Sequence, residues 1–367
     1  MRRLSQLLAA VFCVLACAAA AAEVRVPRER IVQFVRDEMH RQQVPGLAVA
    51  VVRGGAPVLA QGFGLANVEL DVPVSPRTVF QSGSLGKQFT AAAVMLQVEA
   101  GRLSLDAPLT ALFPDAPAAW AGITPRHLLT HTSGIPDYTE GLIDMRRDYT
   151  EDELLNTAYT LALQFAPGAQ WRYSNTGYLV LGAVVRRTSG RYYGDVLAEQ
   201  VFAPLGMKSA RIISEEAIVP HRAAGYRRVN GELRNQEWVA PQLNTTADGA
   251  LYLSLEDMLA WDHGVRAGAV LKDTSWQQVY APVQLTDGTT YPYGFGWSVD
   301  TVAGAARHFH SGSWQGFKTH YTRYLGPDIS IIVLANLAEA EPARIVDGIA
   351  RLIDPALVSP GVAAAGG

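Results

Sequence analysis

The chain has 367 residues, of which 49% are hydrophobic and 18% charged; this suffices for a substantial core and excludes a disordered or collagen-like polymer. A formal charge of -3 leaves no basic field for nucleic acid or an anionic membrane surface. Only four lysines occur, Lys87, Lys208, Lys272 and Lys318, so each is informative.

The first segment reads as a targeting leader. Arg2 and Arg3 form a positive start, residues 7–15 a short apolar run, and residues 18–22 an alanine stretch with small-residue cleavage sites. A signal peptide over 1–22 is therefore expected, and with it an exported, periplasmic or secreted protein. The apolar run is too short for a comfortable membrane span. Cys13 and Cys17 are the only cysteines and both lie in the leader, so the remaining chain has no disulfide. Residues 14–17 also offer Cys17 as a lipid-anchor site; the ordinary cleavage sites that follow at once are preferred to it.

Beyond the leader, residues 28–41 carry the apolar spacing of an amphipathic helix, with Ile31, Phe34, Val35 and Met39 on or near one face. Residues 47–52 and 57–65 predict a hairpin across Gly54-Gly55. Residues 87–100 form an almost wholly apolar helical window that Gly101 terminates. The run 178–185 predicts another buried helix. Strands at 320–325 and 329–334 make a second hairpin, and 341–353 a last amphipathic helix. Residues 355–367, rich in Ala, Gly and Pro, predict a frayed tail.

These elements predict an α+β fold: an antiparallel sheet built from both ends of the chain (23–79 with 290–354), flanked by the terminal helices. A mainly helical region, 80–289, is inserted between the two ends. The junction of the two regions is the expected place for a small-molecule cleft.

Three motifs carry chemistry. Ser84-Leu85-Gly86-Lys87 puts a hydroxyl and an amine on one face at a helix start, where a base can activate a serine and the helix N-terminus favours negative charge. About 0.2 such matches are expected by chance, so alone the motif does not separate a nucleophile from a helix cap. Tyr173-Ser174-Asn175 lies in a loop before the 178–185 helix; a phenol can shuttle a proton and an amide can orient a lysine. His310-Ser311-Gly312-Ser313 sits on a strand beside the C-terminal hairpin. There the glycine permits close backbone approach, and the Ser313 and Ser84 N–H groups can form an oxyanion hole.

Taken together, in this order and in these settings, the motifs resemble the serine β-lactamase/penicillin-binding family, in the branch that holds class C β-lactamases, DD-carboxypeptidases, D-aminopeptidases and β-lactamase-like esterases. The resemblance covers nearly all of residues 28–353. It extends to Leu128-Leu129-Thr130-His131-Thr132-Ser133-Gly134-Ile135-Pro136 and to Gly249-Ala250-Leu251-Tyr252 leading to Glu256-Asp257-Met258. It implies Ser84 as nucleophile, Lys87 as its hydrogen-bonded partner, Tyr173 as base or shuttle, and His310 in the place of the third-motif lysine. Asn175, Ser311, Gly312 and Ser313 are implied as substrate-binding residues. Which of Tyr173 and Lys87 takes the serine proton stays open.

The family's lysine at the third motif would bind a β-lactam carboxylate, whereas His310 is titratable. The expected activity is accordingly a serine hydrolase acting on D-amino-acid peptides or small esters. A class C-like β-lactamase and a non-catalytic binding protein are the alternatives. No cofactor or metal is expected: His127 and His131 are four apart but lack the Glu of a zinc motif, and residues 151–153 read as the solvated first turn of a helix. Tyr138, Trp314 and Phe317 are candidates to line the pocket. A small molecule or peptide is the only expected partner.

Overall fold

The computed structural model describes residues 26–358; the expected leader and Cys17 lie outside them. Seven antiparallel strands form the main sheet: β1 (Gly46–Arg53), β2 (Ala56–Asn67), β3 (Val72–Pro73), β4 (Ser298–Val302), β5 (Ala305–Trp314), β6 (Phe317–Tyr324) and β7 (Ile329–Ala335). Their order is β4-β5-β6-β7-β1-β2-β3, so the N-terminal and C-terminal segments meet where β1 pairs with β7. Gly54 and Gly55 take positive φ (56° and 77°) and close the first hairpin, a conformation glycine adopts without steric cost.

Strand β1 is apolar and buried on both faces. Leu47, Val49 and Val51 face one cluster together with Ile331 and Val333. Into this cluster α1 (Arg28–Gln42) inserts Ile31 and Val35, and the C-terminal helix (Pro342–Ile353) inserts Ile345 and Ile349. The two helices touch at Gly348, where a Cβ would lie 1.9 Å from the Phe34 ring. Ala48, Ala50, Ile332 and Leu334 face the opposite way, into the larger core of the inserted region. Helices thus cover both faces, in the α+β arrangement expected.

The inserted, mainly helical region also contains short strands. Val79–Gln81, Leu251–Ser254 and Arg211–Ile212 form a small three-stranded sheet, and Tyr226–Val229 pairs with Glu232–Asn235. Strands of two to four residues are too short to show the period-two alternation that announces a strand. The chain leaves this small sheet at Gln81 and turns through Gly83–Gly86 into α2 (Lys87–Glu99), which is buried almost all round. At the far end, Pro355–Leu357 forms a further turn with Leu357 buried, so the expected tail is packed at its start. No helix among the described residues is long and apolar enough to cross a membrane.

Candidate functional site

Ser84 lies in a 3-10 turn. Its hydroxyl caps neither that turn, whose N-cap is Ser82, nor α2, whose N-cap is Gly86. It instead receives a hydrogen bond from Lys87 Nζ at 3.2 Å. The three-residue spacing on the turn sets the two side chains together.

Lys87 is completely buried. Its ammonium also donates to Asn175 Oδ1 at 2.6 Å and to the Asp248 backbone carbonyl at 2.5 Å. Burial pulls its pKa from the usual lysine value down to about 8, against the opposing pull of Asp248 and Asp137. A sizeable neutral fraction therefore exists near neutral pH.

Asn175 is the first residue of α3 (Asn175–Ser189), three residues earlier than the apolar pattern suggests. Ser174 is the cap, accepting from Gly177 N at 3.2 Å, and this polar first turn is what masks the helix start in the sequence. Asp137 fixes the Asn175 amide: Asp137 Oδ2 accepts from Asn175 N (3.0 Å) and Nδ2 (2.9 Å), which leaves Oδ1 facing Lys87. The Lys87 ammonium lies 4.8 Å from the centre of the Tyr173 ring.

The Tyr173 hydroxyl is out of solvent and has no hydrogen bond of good geometry. Burial drives its pKa well above the usual tyrosine value, with Ser84 the only neighbour pulling it down. Tyr173 is thus a neutral phenol, a proton donor rather than a ready phenolate. The His131 ring packs against it, tilted by 33° with ring centres 4.2 Å apart.

His310 lies behind the cleft. Its Nδ1 is 2.6 Å from the Ser311 carbonyl and must carry the proton, so Nε2 accepts from the Tyr293 hydroxyl at 2.9 Å. The Tyr293 oxygen in turn accepts from His131 Nε2 at 3.2 Å, and His131 Nδ1 accepts from Ser174 N at 3.1 Å. Burial, helped by Lys87, lowers the His310 pKa to about 4; burial also holds His131 well below the usual range. Both imidazoles are neutral. Neither nitrogen of His310 is left for a substrate.

Strand β5 passes close against the Ser84 turn. A Cβ on Gly312 would meet Ser82 O at 2.0 Å and Thr319 Oγ1 at 2.4 Å, and one on Gly83 would meet Ser313 N at 2.4 Å. Gly312→Ala should therefore cost roughly 1–3 kcal/mol of stability, from overpacking, and lower turnover by shifting Ser313 away from Ser84. Thermal melting and steady-state kinetics on one preparation check both.

The cleft itself is lined by Ser84, Tyr138, Asn175, Asp248, Ser313 and Trp314 among others. Ser311 is exposed at its strand position, outside that lining. Phe317 is core instead, edge-on to Phe80 at 6.2 Å. His127 caps the short helix Pro125–Leu129 through Thr124, whereas His131 serves Tyr173 and Tyr293; no metal-ligand cluster of three or more is found among the described residues. Asp137, Asp248 and Tyr293 are contacts that sequence reasoning missed. Asp137 follows the quoted Gly134-Ile135-Pro136 and Asp248 precedes Gly249, so proximity to those motifs was the one available signal.

An α+β fold with a serine and a buried lysine at the start of a buried helix agrees with the resemblance to the serine β-lactamase/penicillin-binding family. The chain belongs to the beta-lactamase family, whose model matches residues 31–354, and it is a hydrolase. It is 31% identical over 312 residues to penicillin-binding protein 4* of Bacillus subtilis (strain 168), covering 79% of this chain and 68% of the relative. It is 29% identical over 305 residues to a D-aminopeptidase of Gluconobacter oxydans (strain 621H), covering 80% of this chain and 56% of that one. The chain thus spans little more than half of the aminopeptidase. Among solved structures, the octameric penicillin-binding protein homologue from Pyrococcus abyssi aligns with a TM-score of 0.77 at 27% identity, over 87% of this chain and 75% of that one. The D-amino acid amidase from Ochrobactrum anthropi SV3 shares the fold, with a TM-score of 0.79 at 23% identity over 89% and 98% of the two chains.

Proposed function

We propose that the protein hydrolyses amides or esters of D-amino acids through an acyl-enzyme on Ser84. The observation that carries this reading is the buried Lys87, its pKa near 8, hydrogen-bonded to a serine hydroxyl that opens onto a cleft. Neutral Lys87 takes the Ser84 proton as the oxygen attacks the carbonyl. The N–H groups of Ser84 and Ser313 hold the oxyanion. Tyr173, a protonated phenol, gives its proton to the leaving group and is resupplied from Lys87; water then cleaves the ester by the reverse sequence. His310 acts as a positioning residue, holding Tyr293 and, through it, His131 beneath Tyr173.

The D-amino-acid substrate class is supported by the aminopeptidase relatives and the amidase neighbour. Export, as the composition of residues 1–22 suggests, belongs to the same proposal. The test is mass spectrometry of the protein after brief exposure to a D-alanyl ester, a D-alanyl peptide and a penicillin. The expected result is a short-lived acyl adduct on Ser84 from the D-alanyl compounds, with slow acylation by penicillin because His310 supplies no cation. An adduct confined to another residue would overturn the scheme.

A further inference from the structure

Among the residues lining the cleft, Asp248 is the one acidic or basic side chain. Its place is tightly set. The Asp248 carbonyl accepts from Lys87, and the following Gly249 approaches the nucleophile turn so closely that a Cβ there would stand 2.4 Å from Gly83 O and 3.0 Å from Ser84 N. Asp248 Oδ2 accepts from the buried Tyr138 hydroxyl at 2.8 Å, which orients the carboxyl group. The Lys87 ammonium is engaged by Ser84, Asn175 and the Asp248 backbone. His310 is neutral and faces Tyr293 and Ser311. Lys87 and His310 are not among the lining residues, so the charged group this side of the cleft presents to a substrate is the Asp248 carboxyl group.

That charge discriminates between substrates. A free carboxylate on this side is repelled, and a free ammonium is attracted. Ser84 and Asp248 line the same cleft, so a group close to the carbonyl under attack comes within reach of the Asp248 carboxylate. An α-ammonium lies two bonds from the carbonyl under attack, so its anchor has to sit in this same small cleft.

We infer that the Asp248 carboxylate binds the free α-ammonium group of the acyl residue. The preferred substrates are then amino-acid amides, amino-acid esters and peptides cleaved after an unblocked N-terminal residue. This rests on the reading of Ser84 as nucleophile.

The test compares kcat/KM for D-alanine p-nitroanilide and N-acetyl-D-alanine p-nitroanilide in the wild type, Asp248→Asn and Asp248→Glu. The wild type is expected to favour the free amine by tenfold or more. Asp248→Asn keeps an acceptor for Tyr138 and should lower that preference roughly 10- to 100-fold, the loss of one charge-assisted hydrogen bond. Asp248→Glu, which keeps the charge, should retain part of it. Any effect transmitted through Lys87 acts on both substrates and cancels in the ratio. An unchanged ratio in Asp248→Asn, or a wild type that favours the acetylated substrate, overturns the assignment. Hydrolysis of p-nitrophenyl acetate with a Ser84 adduct distinguishes the two levels: if it persists while the ratio is unchanged, Asp248 alone is misassigned, and if no substrate labels Ser84, the nucleophile reading falls and this one with it.

Discussion

Ser84→Ala is expected to reduce hydrolysis of every amide and ester substrate by at least about 10⁴-fold. In the proposed scheme this hydroxyl forms the acyl-enzyme, and it is the cleft hydroxyl to which Lys87 donates; Ser313 contributes an exposed strand position whose backbone N–H faces the turn. Folding should be nearly untouched. Ser84 caps no helix, and its loss removes one 3.2 Å hydrogen bond, a change of about 1 kcal/mol. Kinetics paired with a thermal melt decide the point. Activity within tenfold of the wild type, in a protein that melts normally, would remove Ser84 from the reaction.

Lys87→Met should lower kcat/KM by roughly 10²–10⁴-fold, the contribution of a well-placed general base. Its signature lies in the pH dependence. In the wild type, kcat/KM should rise through an apparent pKa near 8 as Lys87 loses its proton; in the variant that inflection disappears. Stability carries the same information with a definite sign. The folded-state pKa, about 8, is below the usual lysine value of 10.5, so between these pH values the unfolded chain holds a proton that the native protein lacks. Wild-type stability therefore gains on the variant by about 3 kcal/mol as pH rises from 8 to 10.5, and below pH 8 the buried ammonium is at its most costly. Urea unfolding of both proteins across this range measures the gain. Parallel curves would mean that Lys87 is not depressed.

Much of this was readable in advance because the signals are local. The hairpin at Gly54-Gly55 is announced by two apolar runs and a glycine pair, and β1 and β2 follow it. Ser84 and Lys87 are joined by helical spacing, which survives folding unchanged. Asn175 was found as a residue but placed in a loop, since a polar cap such as Ser174 hides a helix start from a pattern built on apolar positions. Asp137 and Asp248 could not be found that way. Each acts on a group 38 or more positions distant in the chain, the Asn175 amide for the first and the Lys87 ammonium for the second, and nothing within a local window marks such a contact. His310 was legible as a substitution for a cation. Its neutrality was not, because that depends on burial and on the neighbouring Lys87 ammonium, which only the folded chain supplies.

The pairing of β1 with β7 has a consequence for how the molecule is made. Asn336, just past β7, accepts a hydrogen bond from Gly46 N across a sequence separation of 290 residues, and β1 cannot complete its central place in the sheet until β7 has been synthesised. During translation the growing chain therefore holds an apolar strand with one edge open for nearly its whole synthesis. Closure of that seam is a late, long-range event of the kind that slows folding. Until its last strands emerge, such a polypeptide exposes apolar surface and an unpaired strand edge to other chains.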